Sequence, residues 1–574
     1  MLPARAIVRF AAPFVLIAGT LVRAPAAGSQ EAVTGYTKPI YTQSVTEEYR
    51  VPTEHGTIFG LVKRPVVPAG VQVPTILTYS PYNFDDRPTN QQTTITDSIA
   101  NFYVPRGYAR AHFDLVGTRE SSGCYDFGGI RERETGAAVI DYLGELPWSN
   151  GRVGMIGASY DGTTQYAAAI EAPEHLTTIV PQVAIDRWYD YPYDGGVRRF
   201  SGFGTPLLFD FEYGATPPTG INDPEHLAEV ATTRVNPCDR VEHQIRGFGW
   251  DPVWDAFWDE RDYRVHADKV QASVLVEGGW LDNNVQLDGS VKFFQALPDD
   301  HPKKIVMGQW GHAVPTLPDW NGIRHAWFDY WLYDYDGEDD DDDLPDTGVM
   351  EAPRMDSVMS GSGERVQLDS WPPATTTTIP LRLVGQPATS TEELGVAAGT
   401  DTTYSNNDPS LNQSQVMSGN CRDACVAFVG PELEEDVVLA GTPYLDLAAR
   451  SAALGAGPGT VSTQYVVIAF VLEGATRRVI SVGMLNSRNR DGLRSSADVP
   501  EGLAYRSIVE LNDLHRYVSA GSRIGVAFAG VDQSSNLAPD DDPPTANTIL
   551  VDHAGGLGTV LRIPVESGHA AFHP

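Results

Sequence analysis

Gly151-Arg152-Val153-Gly154-Met155-Ile156-Gly157-Ala158-Ser159-Tyr160-Asp161-Gly162 is the stretch that decides how this chain folds. An apolar, strand-forming run (Val153 to Ile156) stops at Gly157, and a helix-forming run (Thr163 to Glu171) begins directly after Gly162. One serine stands between them. A strand-to-helix turn this tight lifts its central side chain into a strained position at the end of a sheet, where a nucleophile is useful. Glycines flank it because a Cβ there would meet the folded-back chain. The helix that follows aims its positive end at the same point and favours a developing oxyanion. The stretch departs from strict Gly-x-Ser-x-Gly, since position 161 is Asp and the glycine comes one residue later. Read alone, it also suits an ordinary strand–helix turn with Ser159 as a surface hydroxyl.

A lone serine is a poor nucleophile, so the catalytic reading requires a base and a group that orients the base. Ser273-Val274-Leu275-Val276-Glu277-Gly278-Gly279-Trp280-Leu281-Asp282 reads as a buried strand opening into a loop that carries Asp282. Lys304-Ile305-Val306-Met307-Gly308-Gln309-Trp310-Gly311-His312 repeats that design, with His312 just past the strand. Each has a plain alternative: a solvated histidine, or a turn carboxylate bonded to its own backbone. The order Ser, Asp, His is that of the α/β-hydrolase sheet. In a parallel sheet all strand C-termini share one edge, so the three residues are able to converge.

These residues carry a resemblance to the cocaine esterase and Xaa-Pro dipeptidyl-peptidase family of serine hydrolases. It rests on Ser80-Pro81-Tyr82, Gly157-Ala158-Ser159-Tyr160-Asp161-Gly162, Gly279-Trp280-Leu281-Asp282, Gly308-Gln309-Trp310-Gly311-His312 and Trp327-Phe328-Asp329-Tyr330-Trp331-Leu332. The resemblance covers roughly residues 47 to 570. It implies Ser159 as nucleophile, His312 as base, Asp282 as its partner, and an oxyanion hole made by the Tyr82 hydroxyl and the N–H of Tyr160. No cofactor and no metal are expected. The resemblance leaves the substrate open, because members of the family hydrolyse peptides, amino-acid esters and unrelated esters. The residues themselves support Tyr82: Val73 to Tyr79 reads as a buried strand, and Ser80-Pro81 forces an extended exit at the sheet edge.

Charge and address narrow the function further. The chain has 574 residues, with 41 Lys and Arg against 75 Asp and Glu, a net charge of −34. That balance argues against nucleic acid and anionic membranes as partners. Met1 to Arg9 is basic, Phe10 to Val22 is mostly apolar and Ala24-Pro25-Ala26-Ala27 is small, so residues 1–27 read as a secretory signal peptide. The expectation is an exported protein with no membrane segment after signal removal. Four cysteines allow two disulfides in that setting. Cys421 and Cys425 are close enough for a local loop, which leaves Cys124 and Cys238, but sequence leaves all three connectivities open. Nothing near Cys421-x-x-x-Cys425 completes a metal site. Glu338 to Asp343 lacks the glycine and spacing of a calcium loop and reads as a solvated linker.

A chain of this length divides. Residues 44–185 and 267–335 alternate strands with helical stretches, as a mostly parallel α/β sheet does. Residues 186–266 interrupt that rhythm with aromatics and acids: Trp188, Tyr189, Tyr191, Tyr193, Trp250, Trp254, Phe257 and Trp258. They are expected to form a helical cap over the site, most of the aromatics making the cap's own core. Residues 336–378 read as an acidic and Thr-rich linker. From 379 to 574 short β-rich runs recur between turns, the pattern of an all-β sandwich, which the resemblance makes a galactose-binding-like jelly roll.

The sequence therefore predicts a secreted serine hydrolase acting on a small-molecule or short-peptide substrate through an acyl-enzyme. A dipeptidyl-peptidase-like activity leads, with an amino-acid or xenobiotic carboxylesterase as the alternative. An idle hydrolase fused to a β-sandwich binding domain is the rival of another class. A dipeptidyl-peptidase must pair the substrate's free α-ammonium with a carboxylate. Asp190, Asp194 and Glu212, all in the cap, are the candidates.

Overall fold

The computed structural model describes residues 33–82, 95–199, 202, 204–214, 223–235, 238, 240–248, 252–334, 345–396, 402–406, 408–455, 459–532, 544–551 and 558–572. The signal-peptide stretch, the aspartate run and Trp250 lie outside those residues.

The first unit is built on a ten-stranded sheet. Its strands are β1 (Ser44–Thr53), β2 (Gly56–Pro65), β3 (Val73–Ser80), β4 (Ala109–Asp114), β5 (Ser149–Ala158) and β6 (Leu176–Gln182), then β9 (Ser273–Gly279), β10 (Lys303–Gly308), β11 (Met355–Val358) and β12 (Arg365–Leu368). The spatial order is β1-β2-β4-β3-β5-β6-β9-β10-β11-β12. From β4 to β11 all neighbours are parallel, and only the outer pairs are antiparallel. Parallel strands covered on both faces read as continuous apolar runs, and β3, β9 and β10 are buried along their whole length.

Alternation sends neighbouring side chains to opposite faces. Val153 and Met155 of β5 join the core beneath α2 (Ile130–Gly144), α3 (Tyr160–Ala169) and α8 (Asp288–Ala296). Ile156 joins Ile76, Val180, Leu275 and Val306 beneath α1 (Ser98–Tyr103) and α9 (Trp320–Tyr333). Each such aliphatic side chain contributes about 1.5–3 kcal/mol by burial.

Between β6 and β9 lie the short hairpin β7 (Tyr193–Asp194) and β8 (Val197–Arg198), then α4 (Thr205–Phe209), α5 (Pro224–Val235), α6 (Arg240–Phe248) and α7 (Ala256–Asp259). The described insertion is thus mainly helical. Its aromatics pack on one another: Tyr189 lies 5.0 Å from Trp254 and 5.4 Å from Trp258, and the Trp188 indole donates to the Tyr263 hydroxyl at 2.9 Å. A Cys124–Cys238 disulfide ties the segment between α5 and α6 to the loop after β4, and Cys421–Cys425 closes a local loop.

The remainder is β-rich and mostly antiparallel, with strands that include Thr377–Val384, Gln464–Glu473, Thr476–Asn486, Leu514–Val518, Arg523–Ala529 and Val560–Ser567. Within residues 336–378, which read in the sequence as a linker, the structure forms β11 and β12, which extend the hydrolase sheet. They are four residues each and carry Asp356, Ser357, Arg365 and Gln367, too short and polar to show a strand's alternation.

Candidate active site

β5 ends at Ala158, and Ser159 turns the chain into α3 with φ 61° and ψ −125°. A left-handed φ is costly for a serine and persists only where its surroundings enforce it. Here the Ser159 N–H donates to the Gln182 carbonyl at 2.9 Å, and the Ser159 carbonyl accepts from Gly162 and Thr163 at 2.9 and 3.0 Å. The glycines serve close approach: a Cβ on Gly157 would lie 2.5 Å from the Asp161 Cβ, and one on Gly162 2.8 Å from the Gln182 carbonyl oxygen. Tyr160 opens α3, so its N–H has no acceptor within the helix. Its ring is buried, and its hydroxyl lies 2.9 and 3.0 Å from the two Glu132 carboxyl oxygens and 3.0 Å from the Tyr125 hydroxyl. Burial pushes Glu132 up to about 8, against the Gly128 N–H that bonds it.

Asp282 and His312 leave the same sheet edge from β9 and β10. Two backbone bonds knit their loops together: Trp280 N–H to the Gly308 carbonyl at 2.8 Å, and Leu281 N–H to the Trp310 carbonyl at 3.1 Å. His312 Nδ1 then lies 2.9 Å from Asp282 Oδ2. Asp282 is buried, and its other oxygen accepts the N–H groups of Asn284 and Val285 at 2.9 and 3.2 Å. An ionised carboxylate is acceptor-only, so this arrangement puts the imidazole proton on Nδ1 and leaves Nε2 as the basic nitrogen.

Tyr82 follows β3, its N–H donating to Ser80 Oγ at 2.9 Å. The Ser159 side chain is among the groups that act on the Tyr82 hydroxyl. Burial, followed by the nearby Asp161 carboxylate, holds this phenol well above its ordinary range, so it remains a neutral donor. Tyr82 packs edge-on against Tyr160 and Tyr213, at 6.3 and 5.3 Å between ring centres. Phe209 lies 5.6 Å from Tyr213 and 5.9 Å from Tyr160, which continues an aromatic wall into the cap. Nothing local in the sequence marks Tyr213 or Phe209, since their place depends on how the cap folds back.

The three acidic candidates are placed differently. Asp190 is held by Arg187 at 2.7 Å and by Arg264 at 3.6 Å. Burial pushes its carboxyl up, and the two guanidinium groups outweigh that and leave it below its ordinary range. It is therefore already paired within the protein. Asp194 lines a cavity of about 400 Å³ between the hydrolase unit and the β-rich domain, with Arg187, Asp288, Lys292, Arg490 and Glu510 among its neighbours. Glu212 adjoins Tyr213 and is exposed, facing the charge of Arg119. Arg119 donates to the Pro81 carbonyl at 3.3 Å, beside Tyr82. Glu212 is next to Tyr213, which packs against Tyr82.

Residues 61–314 match the X-Pro dipeptidyl-peptidase (S15) family, and residues 347–551 match the X-Pro dipeptidyl-peptidase C-terminal non-catalytic domain. A Streptomyces avermitilis protein that bears the Xaa-Pro dipeptidyl-peptidase name is 28% identical, covering 88% of this chain and 79% of its own. A Bacillus anthracis protein with the same name is 26% identical over 89% and 87%. Among solved structures, an aminopeptidase from a marine sediment archaeon of the Thaumarchaeota superposes with TM-score 0.69 at 16% identity, covering 95% of this chain and 100% of that one. An α-amino acid ester hydrolase does so with TM-score 0.67 at 18% identity, over 95% and 100%. A CocE/NonD family hydrolase from Staphylococcus aureus gives TM-score 0.68 at 16% identity, over 91% and 93%. At these identities the structures speak for the fold alone. Sheet order, sequence relatives and both matched regions agree: the chain belongs to the cocaine esterase and Xaa-Pro dipeptidyl-peptidase family of α/β-hydrolases.

Proposed function

We propose that this protein is a serine hydrolase that cleaves amide or ester bonds through an acyl-enzyme, with Ser159 as nucleophile. The observation that carries the proposal is the His312 Nδ1–Asp282 Oδ2 bond of 2.9 Å on the sheet edge where Ser159 is held at φ 61°. His312 Nε2 takes the Ser159 proton as Oγ attacks the carbonyl carbon, and returns it to the leaving amine or alcohol. Asp282 fixes the ring and stabilises the imidazolium. The Tyr82 hydroxyl and the Tyr160 N–H receive the oxyanion. Water activated by His312 then attacks the acyl carbon and frees Ser159.

The relatives' names favour an Xaa-Pro dipeptidyl-peptidase-like substrate, and the α-amino acid ester hydrolase favours an ester as the second reading. Both classes carry a free α-ammonium. Glu212 is our choice for its partner, because its neighbour in the chain, Tyr213, packs against Tyr82, and Asp190 is committed to Arg187 and Arg264. We further propose export by the leader at residues 1–27, in keeping with two disulfides, and a jelly-roll arrangement of the β-rich domain. N-terminal sequencing of the mature protein tests the leader.

The deciding experiment labels the protein with a fluorophosphonate and then offers Xaa-Pro anilides and amino-acid esters, each with a free or an acetylated amino terminus. Labelling is expected in the wild type and lost in Ser159→Ala. Acetylation should lower kcat/KM by at least about tenfold, the equivalent of one contact of about 1.4 kcal/mol, and Glu212→Gln should narrow that gap. Labelling that survives in Ser159→Ala removes the nucleophile assignment. Equal rates on free and acetylated substrates remove ammonium recognition.

A further inference from the structure

The loop that carries Asp282 is supported from outside its own domain. The Trp280 indole N–H donates to Ser357 Oγ at 3.1 Å, and Ser357 Oγ lies 2.8 Å from His515 Nδ1. Trp280 is also in ring contact with Trp371 at 5.3 Å and with His515 at 6.4 Å, and Trp371 meets His515 at 5.3 Å. All four residues are buried: Trp280 and Trp371 are 7% exposed, His515 1% and Ser357 0%. His515 belongs to the strand Leu514–Val518 of the C-terminal domain. Its backbone is engaged too, since its carbonyl accepts from the Ser360 N–H at 2.9 Å and from the Ser360 hydroxyl at 3.1 Å.

Donor and acceptor chemistry fixes the first link of this chain. An indole N–H only donates, so Ser357 Oγ accepts from Trp280 and keeps its one proton and a second lone pair for His515 Nδ1. With Ser357 as donor, His515 accepts at Nδ1 and carries its ring proton on Nε2, which lies 3.5 Å from the Glu566 carboxylate. Ser357 is the register partner of Met307 in β10, and Gln309 Nε2 donates to the Val358 carbonyl at 2.8 Å. The same short strand thus braces the loop of His312 on one side and the loop of Asp282 on the other.

We propose that His515, through Ser357 and Trp280, is a positioning residue for the Asp282–His312 pair, which makes the C-terminal domain part of the catalytic framework. The inference rests on the triad reading above. Asp282 is two residues from Trp280 and meets His312 through one bond of 2.9 Å. A tilt of the indole shifts that carboxylate, and misplacement of a reacting group by about 1 Å costs on the order of 10²-fold in rate. Substrate does not touch these residues in this scheme, so the effect belongs in kcat.

The test uses the full chain, with competent sites counted by fluorophosphonate stoichiometry. Ser357→Ala and His515→Gln should each lower kcat per labelled site by about tenfold or more, with KM held within about twofold. His515→Asn places a side-chain carbonyl near the lost Nδ1 and should keep most of the rate, whereas the longer Gln does not. The double variant Ser357→Ala/His515→Gln should fall no further than the worse single one, because both break the same link. If these variants do not fold, Trp280→Phe keeps an aromatic ring while removing the donor and part of the indole, and should show at least the same loss in kcat. Unchanged kcat per site in Ser357→Ala and His515→Gln, equal impairment by Asn and Gln, or unchanged kcat in Trp280→Phe overturns the proposal. Wild-type protein that fails to label at Ser159 instead overturns the triad reading, so the two failures are distinguishable.

Discussion

The turn that carries Ser159 and the two loops that carry Asp282 and His312 share one sheet edge but are held by different means. The turn is a local object. Its strain is enforced by Gln182 on the next strand and by the first turn of α3, and Tyr160 is pinned by Glu132 and Tyr125 of the same domain. The two loops are held first by each other, through Trp280 and Leu281, and then by a short strand and a histidine almost as far along the chain as the chain runs. A turn set by neighbouring strands is rebuilt whenever the sheet forms. A pair of loops braced by a second domain is right only when that domain has docked.

The variants that break this comparison hardest act on the pair itself. His312→Ala should lower kcat by on the order of 10⁴–10⁶. Asp282→Asn should cost somewhat less, about 10⁴, because it leaves the base present and spoils only its tautomer and orientation. Steady-state kinetics on one activated ester checks the ranking, and an Asp282→Asn enzyme as active as wild type would remove the carboxylate from the scheme. On the turn's side, Tyr82→Phe keeps the ring packing against Tyr160 and Tyr213 and deletes the hydroxyl proposed as an oxyanion donor. Its expected cost is about 10²–10³ in kcat with KM little changed. Near-wild-type kcat would mean that Tyr82 only packs. On the loops' side, Gly279→Ala would set a Cβ 2.3 Å from the Trp310 carbonyl oxygen and force the two loops apart. A loss of about 10²-fold in kcat is expected, and a small loss would show that the loops have slack.

The same contrast explains what the sequence discloses. The Ser159 turn is legible because its glycines, its apolar strand and its helix are contiguous, and the packing that requires Gly157 involves Asp161, four residues away. Asp282 and His312 are legible as polar residues ending apolar runs, and the α/β-hydrolase class follows from their order. The aromatic cap core and most strands of the β-rich domain are legible for the same reason, since periodicity and composition are local. What is not legible is long-range pairing. Arg264 stands 74 residues beyond Asp190 and reaches it only when the cap folds back, so a carboxylate that looks available in the sequence is paired in the structure. β11 has a buried Met355 and a half-buried Val358 at its ends around Asp356 and Ser357, and only its docking beside β10 makes it a strand. Nothing near His515 in the sequence points to a tryptophan more than two hundred residues earlier.

The smallest expected effect concerns the support beneath the turn, and it is one of stability rather than rate. Glu132 is 2% exposed, bonded to the Tyr160 hydroxyl and to the Gly128 N–H, and burial pushes its carboxyl from 4.5 up to about 8. The sign follows from linkage. Between those two values the folded protein holds a proton that the unfolded chain releases, so the folded state binds more protons and stability falls as pH rises. The contribution is complete below about pH 4.5 and lost as pH climbs through about 8. Glu132→Gln cannot ionise and keeps an amide in place of the carboxyl, so it should unfold near the wild-type temperature at pH 5 and above it at pH 8.5. The expected gap at the higher pH is about 1–3 kcal/mol. Asp161 and Glu277, each raised by burial to about 7, titrate in the same window and remain in the variant, so the slope should flatten without vanishing. Thermal unfolding of both proteins across this range, followed by near-ultraviolet circular dichroism, reads the difference. Parallel curves would mean that Glu132 is ionised at little cost and that Tyr160 is held by something other than a buried, protonated carboxyl.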